Sequence, residues 1–114
     1  MERLYNLGEM KAFRADQGNK VEVYGSKASG GALWCLEPGQ EVPAHYHPGA
    51  DDVWVVLEGE GTYFLGEGEK VRLKAGMVAL APAGAVHGMV NDGEGRFVFF
   101  AVQAPFPVET VWVE

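Results

Sequence analysis

Apolar and polar side chains alternate over short runs along most of the chain, and turns rich in glycine and proline separate these runs. Residues 52–57 are the clearest example, because Trp54 and Val56 fall on one face of an extended segment and Val53, Val55 and Leu57 fall on the other. Alternation of this kind is typical of strands with one buried face. It predicts strands at residues 21–24, 32–37, 41–47, 52–57, 62–65, 70–74, 78–81, 87–91, 96–103 and 108–114.

The same periodicity leaves little room for helices. Only residues 3–13 are compatible with a short helix, and Gly8 weakens even that one. About nine or ten short strands in one small chain favour an all-β fold, either a barrel or a two-sheet sandwich. Pro43 predicts an edge or a bulge within its strand, and the apolar middle of residues 96–103 predicts a strand covered on both faces. We expect the last strand to pack back on the barrel or across a partner.

Composition and charge narrow the functional classes. The chain has 114 residues, close to the size of one domain, and its 47% hydrophobic and 22% charged residues are ordinary for a folded soluble protein. A net charge of −7 without a dense basic segment argues against nucleic acids and anionic membrane surfaces as partners. No apolar run approaches the roughly 18 residues of a membrane span, and the first residues show no signal-peptide pattern. Cys35 is the only cysteine, so we expect no internal disulfide and a cytoplasmic protein.

The three histidines of the chain form a pattern that makes chemical sense around one metal ion. His45 and His47 are two residues apart, so in a strand their side chains point to the same face. Asp52 follows after a turn, and His87 begins a later predicted strand. We expect the strand that starts at Asp52 to lie beside the histidines as an antiparallel neighbour. Imidazole and carboxylate groups together are typical ligands of divalent transition metals.

Two longer motifs around these residues resemble the motifs of the cupins. The first reads Gly39, QEVPA, His45-Tyr46-His47, PGAD, Asp52, VWVVLE and Gly59. The second reads Gly76, MVALA, Pro82-Ala83-Gly84, AV, His87, GMV and Asn91. Every spacing fits, and two long motifs in the right order are a specific signal. The sequence is therefore similar to that of a small single-domain cupin of the RmlC-like jelly-roll superfamily, with motif 1 at residues 39–59, motif 2 at residues 76–91 and one domain over residues 1–114.

This resemblance implies a fold, a ligand set and a partner. The implied fold is a double-stranded β-helix, the jelly-roll barrel of the cupins. The implied ligands are His45, His47, His87 and the acidic residue of motif 1, and they hold one divalent transition metal, which can be Mn, Fe, Zn, Ni or Co. The resemblance also implies a homodimer, and the first strand and the apolar tail with Trp112 are natural elements for edge pairing.

The acidic position of motif 1 departs from the family pattern. Asp52 stands where the family has a glutamate, and its side chain is one methylene shorter. Asp51 is the other candidate ligand, but in a regular strand it projects to the opposite face, so we prefer Asp52. Strand parity also predicts residues of a pocket wall, which are Trp54, Val56, Met89, Asn91 and Phe99.

Three functional hypotheses remain open. The first is a metal-dependent enzyme that acts on a small molecule by oxygenase- or isomerase-type chemistry, as the resemblance implies. The second is a module that binds a small molecule or a sugar without turnover, with or without a metal in the histidine pocket. The third, which the small size of the chain disfavours, is a structural metal in a storage-like protein. Because all three histidines are assigned as ligands, chemistry in the first case depends on the metal rather than on a side-chain nucleophile.

Overall fold

The protein is described here by a computed structural model that covers residues 2–113. Within this range the chain forms one short helix and ten strands, all of them close to the predicted positions. The predicted strand at 78–81 has the same bounds in the structure, and the bounds of all the others except the last lie within two residues of the prediction. The strands are β1 (Asn19–Gly25), β2 (Gly30–Leu36), β3 (Glu41–Tyr46), β4 (Asp51–Glu58), β5 (Glu60–Gly66), β6 (Glu69–Lys74), β7 (Val78–Ala81), β8 (His87–Val90), β9 (Phe97–Ala104) and β10 (Val111–Trp112).

The strands form two five-stranded antiparallel sheets that face each other. Sheet A has the order β1-β2-β9-β4-β7, and sheet B has the order β10-β3-β8-β5-β6. Residues from the inner faces of both sheets make the main apolar core, which includes Trp54, Phe97, Phe99, Met89 and Leu73. This arrangement confirms the predicted all-β jelly-roll fold.

Strand β9 is apolar along its middle because both of its faces are covered. Phe97 and Phe99 face the main core, whereas Val98 faces outward, and all three are fully buried. The outer cover is the N-terminal segment, whose Leu7 and Met10 pack on the outer side of sheet A. The prediction of a strand covered on both faces is therefore confirmed, and Cys35 is a buried core residue beneath the same cover.

The N-terminal helix is shorter than the sequence predicts. It spans Leu7–Met10, not residues 3–13. Asn6 caps it, because the Asn6 Oδ1 accepts a hydrogen bond from the Glu9 backbone N–H at 3.3 Å. Lys11 already has extended backbone angles, which ends the helix after one turn. No helix among residues 2–113 is long and apolar enough to cross a membrane.

The tail pairs with the barrel of its own chain. Its strand is only Val111–Trp112, which pairs with Tyr46 and His45 of β3, so the prediction of a strand over 108–114 is too long. Glu114 lies outside the described residues. Of the two arrangements expected for this segment, packing back on the barrel is the one that the structure shows.

Strand β3 carries the irregularity that Pro43 predicts. Its register with β8 shifts between Val42 and His45, so Pro43 and Ala44 form a bulge. The bulge lies directly against Gly88 of β8, where an added Cβ would sit 2.8 Å from the Val42 carbonyl oxygen. The absence of a side chain at position 88 therefore lets β8 approach β3 and sets His87 beside His45.

Candidate metal centre

Four side chains converge at one end of the barrel, between the two sheets. One ligand atom from each of His45, His47, Asp52 and His87 lies within 4.8 Å of the others, and none of these residues is more than 5% exposed. His45 and His87 are directly paired across β3 and β8 in sheet B, and His47 follows β3. The structure therefore brings together the four residues that the motifs single out.

Asp52 reaches this cluster from the opposite sheet. It lies on β4 of sheet A, whose neighbours are β7 and β9, so β4 is not an antiparallel neighbour of β3. The expectation of adjacent strands is wrong, because closure of the barrel rather than strand pairing brings the carboxylate to the histidines. Asp51 points away, and its Oδ1 accepts a hydrogen bond from the Ala83 backbone N–H at 3.0 Å. Asp52 is thus the acidic residue of the cluster.

The backbone fixes the orientation of all three imidazole rings. The Nδ1 atom of His45 lies 2.7 Å from the Pro43 carbonyl oxygen. The Nδ1 atoms of His47 and His87 each lie 3.0 Å from a carbonyl oxygen, that of Glu109 and that of Ala85. A carbonyl oxygen only accepts hydrogen bonds, so each Nδ1 carries the proton and donates it. In the neutral rings, the Nε2 lone pairs are therefore free to face the interior.

These lone pairs meet the Asp52 carboxylate at short range. Asp52 Oδ2 lies 2.9 Å from His87 Nε2 and 3.2 Å from His47 Nε2. An anionic oxygen and two nitrogen lone pairs repel each other at these distances. The arrangement needs positive charge at its centre, either as protons on the rings or as a bound cation.

Burial decides the charge of the ring that is not paired with the carboxylate. The pKa of His45 is lowered to about 4, mainly by burial and to a smaller extent by the neighbouring His87 and His47, against the raising effects of the Pro43 carbonyl and Asp52. Burial is the largest single influence on the pKa of Asp52 and acts to raise it, but the contacts of the carboxylate with His87 and His47 outweigh burial, so this pKa is lowered. At neutral pH the cluster therefore combines a neutral His45 with an ionised Asp52.

The donor set fits a divalent transition metal. Three neutral imidazoles with free Nε2 atoms and one carboxylate are ligands that such ions accept. Asp52 Oδ1 is buried and has no hydrogen-bond partner among the described residues, so this carboxylate retains unused capacity for coordination.

The C-terminal segment covers the cluster from outside. Besides the Glu109 carbonyl, the Thr110 Oγ1 lies 3.2 Å from His47 Nδ1. The Trp112 ring lies over His45, with 5.0 Å between the ring centroids. Local alternation carries no signal for these contacts, because the Glu109 carbonyl is more than sixty residues away from His47 along the chain.

The predicted wall residues take different positions relative to the cluster. The Trp54 ring lies 5.4 Å from the His87 ring, and Phe99 stacks on Trp54 at 4.0 Å. Val56 and Met89 belong to the main core further along the barrel. Trp54 is thus the predicted wall residue that contacts the cluster, and Phe99 supports it from behind.

Asn91 serves a different purpose from the one predicted. Its side-chain amide donates to the carbonyl oxygens of Leu36 at 3.2 Å and Gly95 at 2.9 Å, and its Oδ1 accepts from the Gly93 N–H at 3.2 Å. These bonds hold the turn between β8 and β9 against β2. Parity placed Asn91 on the inner face together with His87, but alternation does not encode how far along the barrel axis a residue lies.

A polar side chain of β9 also reaches the cluster. The Gln103 Nε2 lies 3.2 Å from His47 Nε2. On β9 the inward positions are Phe97, Phe99 and Ala101, so Gln103 is the next residue of the same row. The sequence did carry a signal for it, namely a polar residue at the inward parity of an otherwise apolar strand.

Comparison with known proteins agrees with this geometry. The family model of the cupin domain matches residues 32–103, well over half of the chain. The chain belongs to the cupin family. A crystal structure of a conserved protein with a double-stranded β-helix domain from Klebsiella pneumoniae superposes with a TM-score of 0.94 at 33% identity, and the match covers 100% of this chain and 99% of the other.

Two of the curated relatives have names that state a small-molecule ligand or substrate. An oxalate-binding protein of Thermotoga maritima is 36% identical over 81 residues, which is 71% of this cupin and 66% of the relative. A gentisate 1,2-dioxygenase of a Ralstonia species is 38% identical over 68 residues, which is 59% of this cupin and 19% of the relative. The chain spans less than two thirds of the length of the curated relatives that it matches.

Proposed function

We propose that this cupin holds one divalent transition metal through His45, His47, His87 and Asp52. The observation that carries the proposal is the set of three Nδ1–carbonyl hydrogen bonds, which leaves the Nε2 lone pairs directed at a buried carboxylate. A cation at the centre turns this repulsive arrangement into an attractive one. The ion is Mn, Fe, Zn, Ni or Co, since one ligand set of this kind accepts several of them.

The proposed function is the conversion of a small molecule at this site by oxygenase- or isomerase-type chemistry. When bound, the metal supplies Lewis-acid chemistry, which can activate water, polarise a carbonyl or bind O₂ together with an anionic substrate. The chain contributes a fixed ring orientation, an apolar wall at Trp54 and a cover by the tail that limits access of water. The similarity to a gentisate dioxygenase supports this choice.

The second candidate is a cupin that binds a small molecule or a sugar without converting it. Two observations favour it. Of the two relatives named above, the one that this chain covers more fully is named for binding oxalate. All three histidines of the chain are proposed ligands, which leaves no histidine to act as a nucleophile or base.

Elemental analysis of the purified protein tests the metal site. We expect about one equivalent of a divalent transition metal in the wild type and its loss in His45→Ala, because removal of one of four ligands weakens a metal site strongly. Tyr46→Phe is the matched control, since Tyr46 is the adjacent residue in β3 and its side chain points to the opposite face. Absence of metal from the wild type, even after reconstitution with each of the five ions, would contradict the proposal.

Turnover separates the two candidates. Oxygen uptake and product formation are measured with the metal-loaded protein on a panel of small phenols, keto acids and sugars. Conversion of any member that disappears in His45→Ala supports the enzyme. Tight binding without conversion, with each of the five metals loaded, supports the binding module and contradicts the enzyme.

The proposal includes a homodimer. Its support is an uncovered apolar surface on the outer side of sheet A, where Val53 and Val55 pair with Leu80 and Val78 of the edge strand β7. Val78 and Leu80 are 62% and 56% exposed, and association of two copies through this surface would bury them. A cytoplasmic location and the absence of nucleic-acid partners stay predictions from the sequence.

A further inference from the structure

Gln103 lies at the point where the apolar interior meets the histidine cluster. Its register partners are Asp52 on β4 and Gly30 on β2. The inward residues next to it are small, because Ala101 precedes it on β9 and Ala32 pairs with Ala101. The half-buried amide of Gln103 therefore has room to turn about its side-chain bonds.

The present partner of this amide is a lone pair that a metal would use. The His47 Nδ1–H points to the Glu109 carbonyl, so His47 Nε2 can accept a hydrogen bond, and the Gln103 N–H group lies 3.2 Å away. In the metal-loaded site this lone pair is engaged. The Gln103 amide then has a donor without an acceptor next to the cluster, which is costly in a half-buried position.

The charge of the loaded site indicates which ligand restores this hydrogen bond. Asp52 is the only buried carboxylate among residues 2–113, and the three imidazoles are neutral as ligands. A divalent ion therefore leaves a net charge of about +1, beside which Gln103 adds a neutral donor. A small oxyanion satisfies both groups, because it neutralises the charge and presents an acceptor oxygen to the amide.

The surroundings limit the size of this anion. Trp54 and Phe99 close the site on the core side, and Trp112 and the Thr110 hydroxyl lie on the tail side. The Phe106 ring packs against Gly30, the register partner of Gln103, and so occupies the remaining side. We therefore expect a compact ligand such as a small carboxylate at this site.

We propose that Gln103 is a specificity-determining residue that donates a hydrogen bond from its side-chain amide to a small carboxylate bound at the metal. This inference rests on the proposed metal site and adds to it the class of ligand and the residue that selects it. Gln103 is not a metal ligand in this arrangement. Its removal is expected to weaken binding of the anion and to leave binding of the metal almost unchanged.

Spectroscopic titration of the Co²⁺-loaded protein tests the inference. Wild type, Gln103→Leu and Gln103→Glu are each loaded with Co²⁺, and oxalate is then titrated while the visible absorption of the ion is followed. We expect Gln103→Leu to bind Co²⁺ within threefold of the wild type and to bind oxalate at least about tenfold more weakly, because one hydrogen bond to a charged group is lost. Gln103→Glu is expected to weaken oxalate further, since it places a like charge beside the anion.

The control variant and the possible outcomes separate the test of Gln103 from the test of the metal site. Gln17→Leu, which changes an exposed glutamine away from the cluster, is expected to behave as the wild type. Equal oxalate affinity in Gln103→Leu and wild type would overturn the inference, and so would a more than tenfold loss of Co²⁺ affinity in Gln103→Leu, which would make Gln103 a ligand. A wild type that binds Co²⁺ but not oxalate would overturn the inference and leave the metal site standing, whereas a wild type that does not bind Co²⁺ would overturn both.

Discussion

At the scale of single residues, the Asp52 carboxylate has the largest consequence for the site. It provides the only negative charge among the four clustered side chains, and it crosses from sheet A to meet three histidines held by sheet B. Its shorter side chain, compared with the glutamate typical of this position in cupins, still reaches within 3.2 Å of two imidazoles. The distance between the sheets at this end of the barrel is therefore matched to an aspartate.

Asp52→Asn tests whether this carboxylate ligates the metal. The variant keeps the size of the side chain but loses its charge, so we expect the affinity for the metal to fall by at least about tenfold. Asp52→Glu keeps the charge and is expected to retain more of the affinity than Asp52→Asn. Competition with a chromogenic chelator measures all three affinities.

Asp51→Asn is the matched control for this experiment. Asp51 is exposed and its Oδ1 accepts a hydrogen bond from the Ala83 N–H, which an asparagine side chain can also accept. Its metal affinity should equal that of the wild type. An unchanged affinity in Asp52→Asn would instead indicate a site of three histidines, with the remaining position filled by water.

At the scale of elements, the contact between β3 and β8 determines the geometry of the cluster. The bulge at Pro43 and Ala44 fits against Gly88, and it also turns the Pro43 carbonyl toward His45. The bulge thus does two things, since it shapes the strand and orients a proposed ligand. A change in this contact is expected to affect stability and the metal site together.

Gly88→Ala is the variant that tests this contact. The new Cβ would lie 2.8 Å from the Val42 carbonyl oxygen and 3.0 Å from backbone atoms of Ala44, so the strands must separate. We expect the free energy of unfolding to fall by about 1–3 kcal/mol, as for other overpacked sites. Urea denaturation of the metal-free protein measures it.

Gly49→Ala is the control for a glycine without such a contact. Nothing lies within 4 Å of the Cβ that would be added there, and its backbone is not left-handed. Its stability should be equal to or slightly above that of the wild type, because alanine restricts the unfolded chain. Equal stabilities of Gly88→Ala and Gly49→Ala would show that the β3–β8 contact is not tight.

Local alternation predicted the strands well, and the reasons for its failures are physical. Trp54 and Val56 are buried and alternate with less buried neighbours, so the bounds of β4 follow from the sequence within one residue. The predicted helix is too long, because Lys11 already has extended backbone angles and the packing of Leu7 and Met10 on sheet A needs only one turn. The tail contacts His47 across a long separation in sequence, which no local pattern reflects. The backbone groups that Asn91 contacts depend on its position along the barrel axis, which alternation does not encode.

At the scale of the whole molecule, the outer side of sheet A carries an apolar surface that the N-terminal segment covers only in part. The N-terminal segment covers its half over β2 and β9, but Val53, Val55, Val78 and Leu80 extend the apolar surface beyond that cover. Exposed apolar surface of this kind is typical of contacts between subunits. Strand β10, in contrast, uses one of its edges within its own chain.

Light scattering after size-exclusion chromatography tests this surface. We expect the wild type to have a mass of about twice 12.3 kDa, and the double variant Val78→Lys with Leu80→Lys to have the mass of a monomer. Val71→Lys, at a position 42% exposed on sheet B, is the matched control and should remain dimeric. A monomeric wild type, or a double variant that remains dimeric, would contradict the homodimer.

The hydrogen bonds from the three Nδ1 atoms have a consequence for how this protein tolerates sequence change. Their acceptors are the main-chain oxygens of Pro43, Ala85 and Glu109, which every amino acid possesses. Substitution at any of these three positions leaves the acceptor in place as long as the path of the chain is kept. The ring orientations are therefore protected from mutational drift around them, and selection needs to preserve only the four clustered side chains and the backbone that supports them.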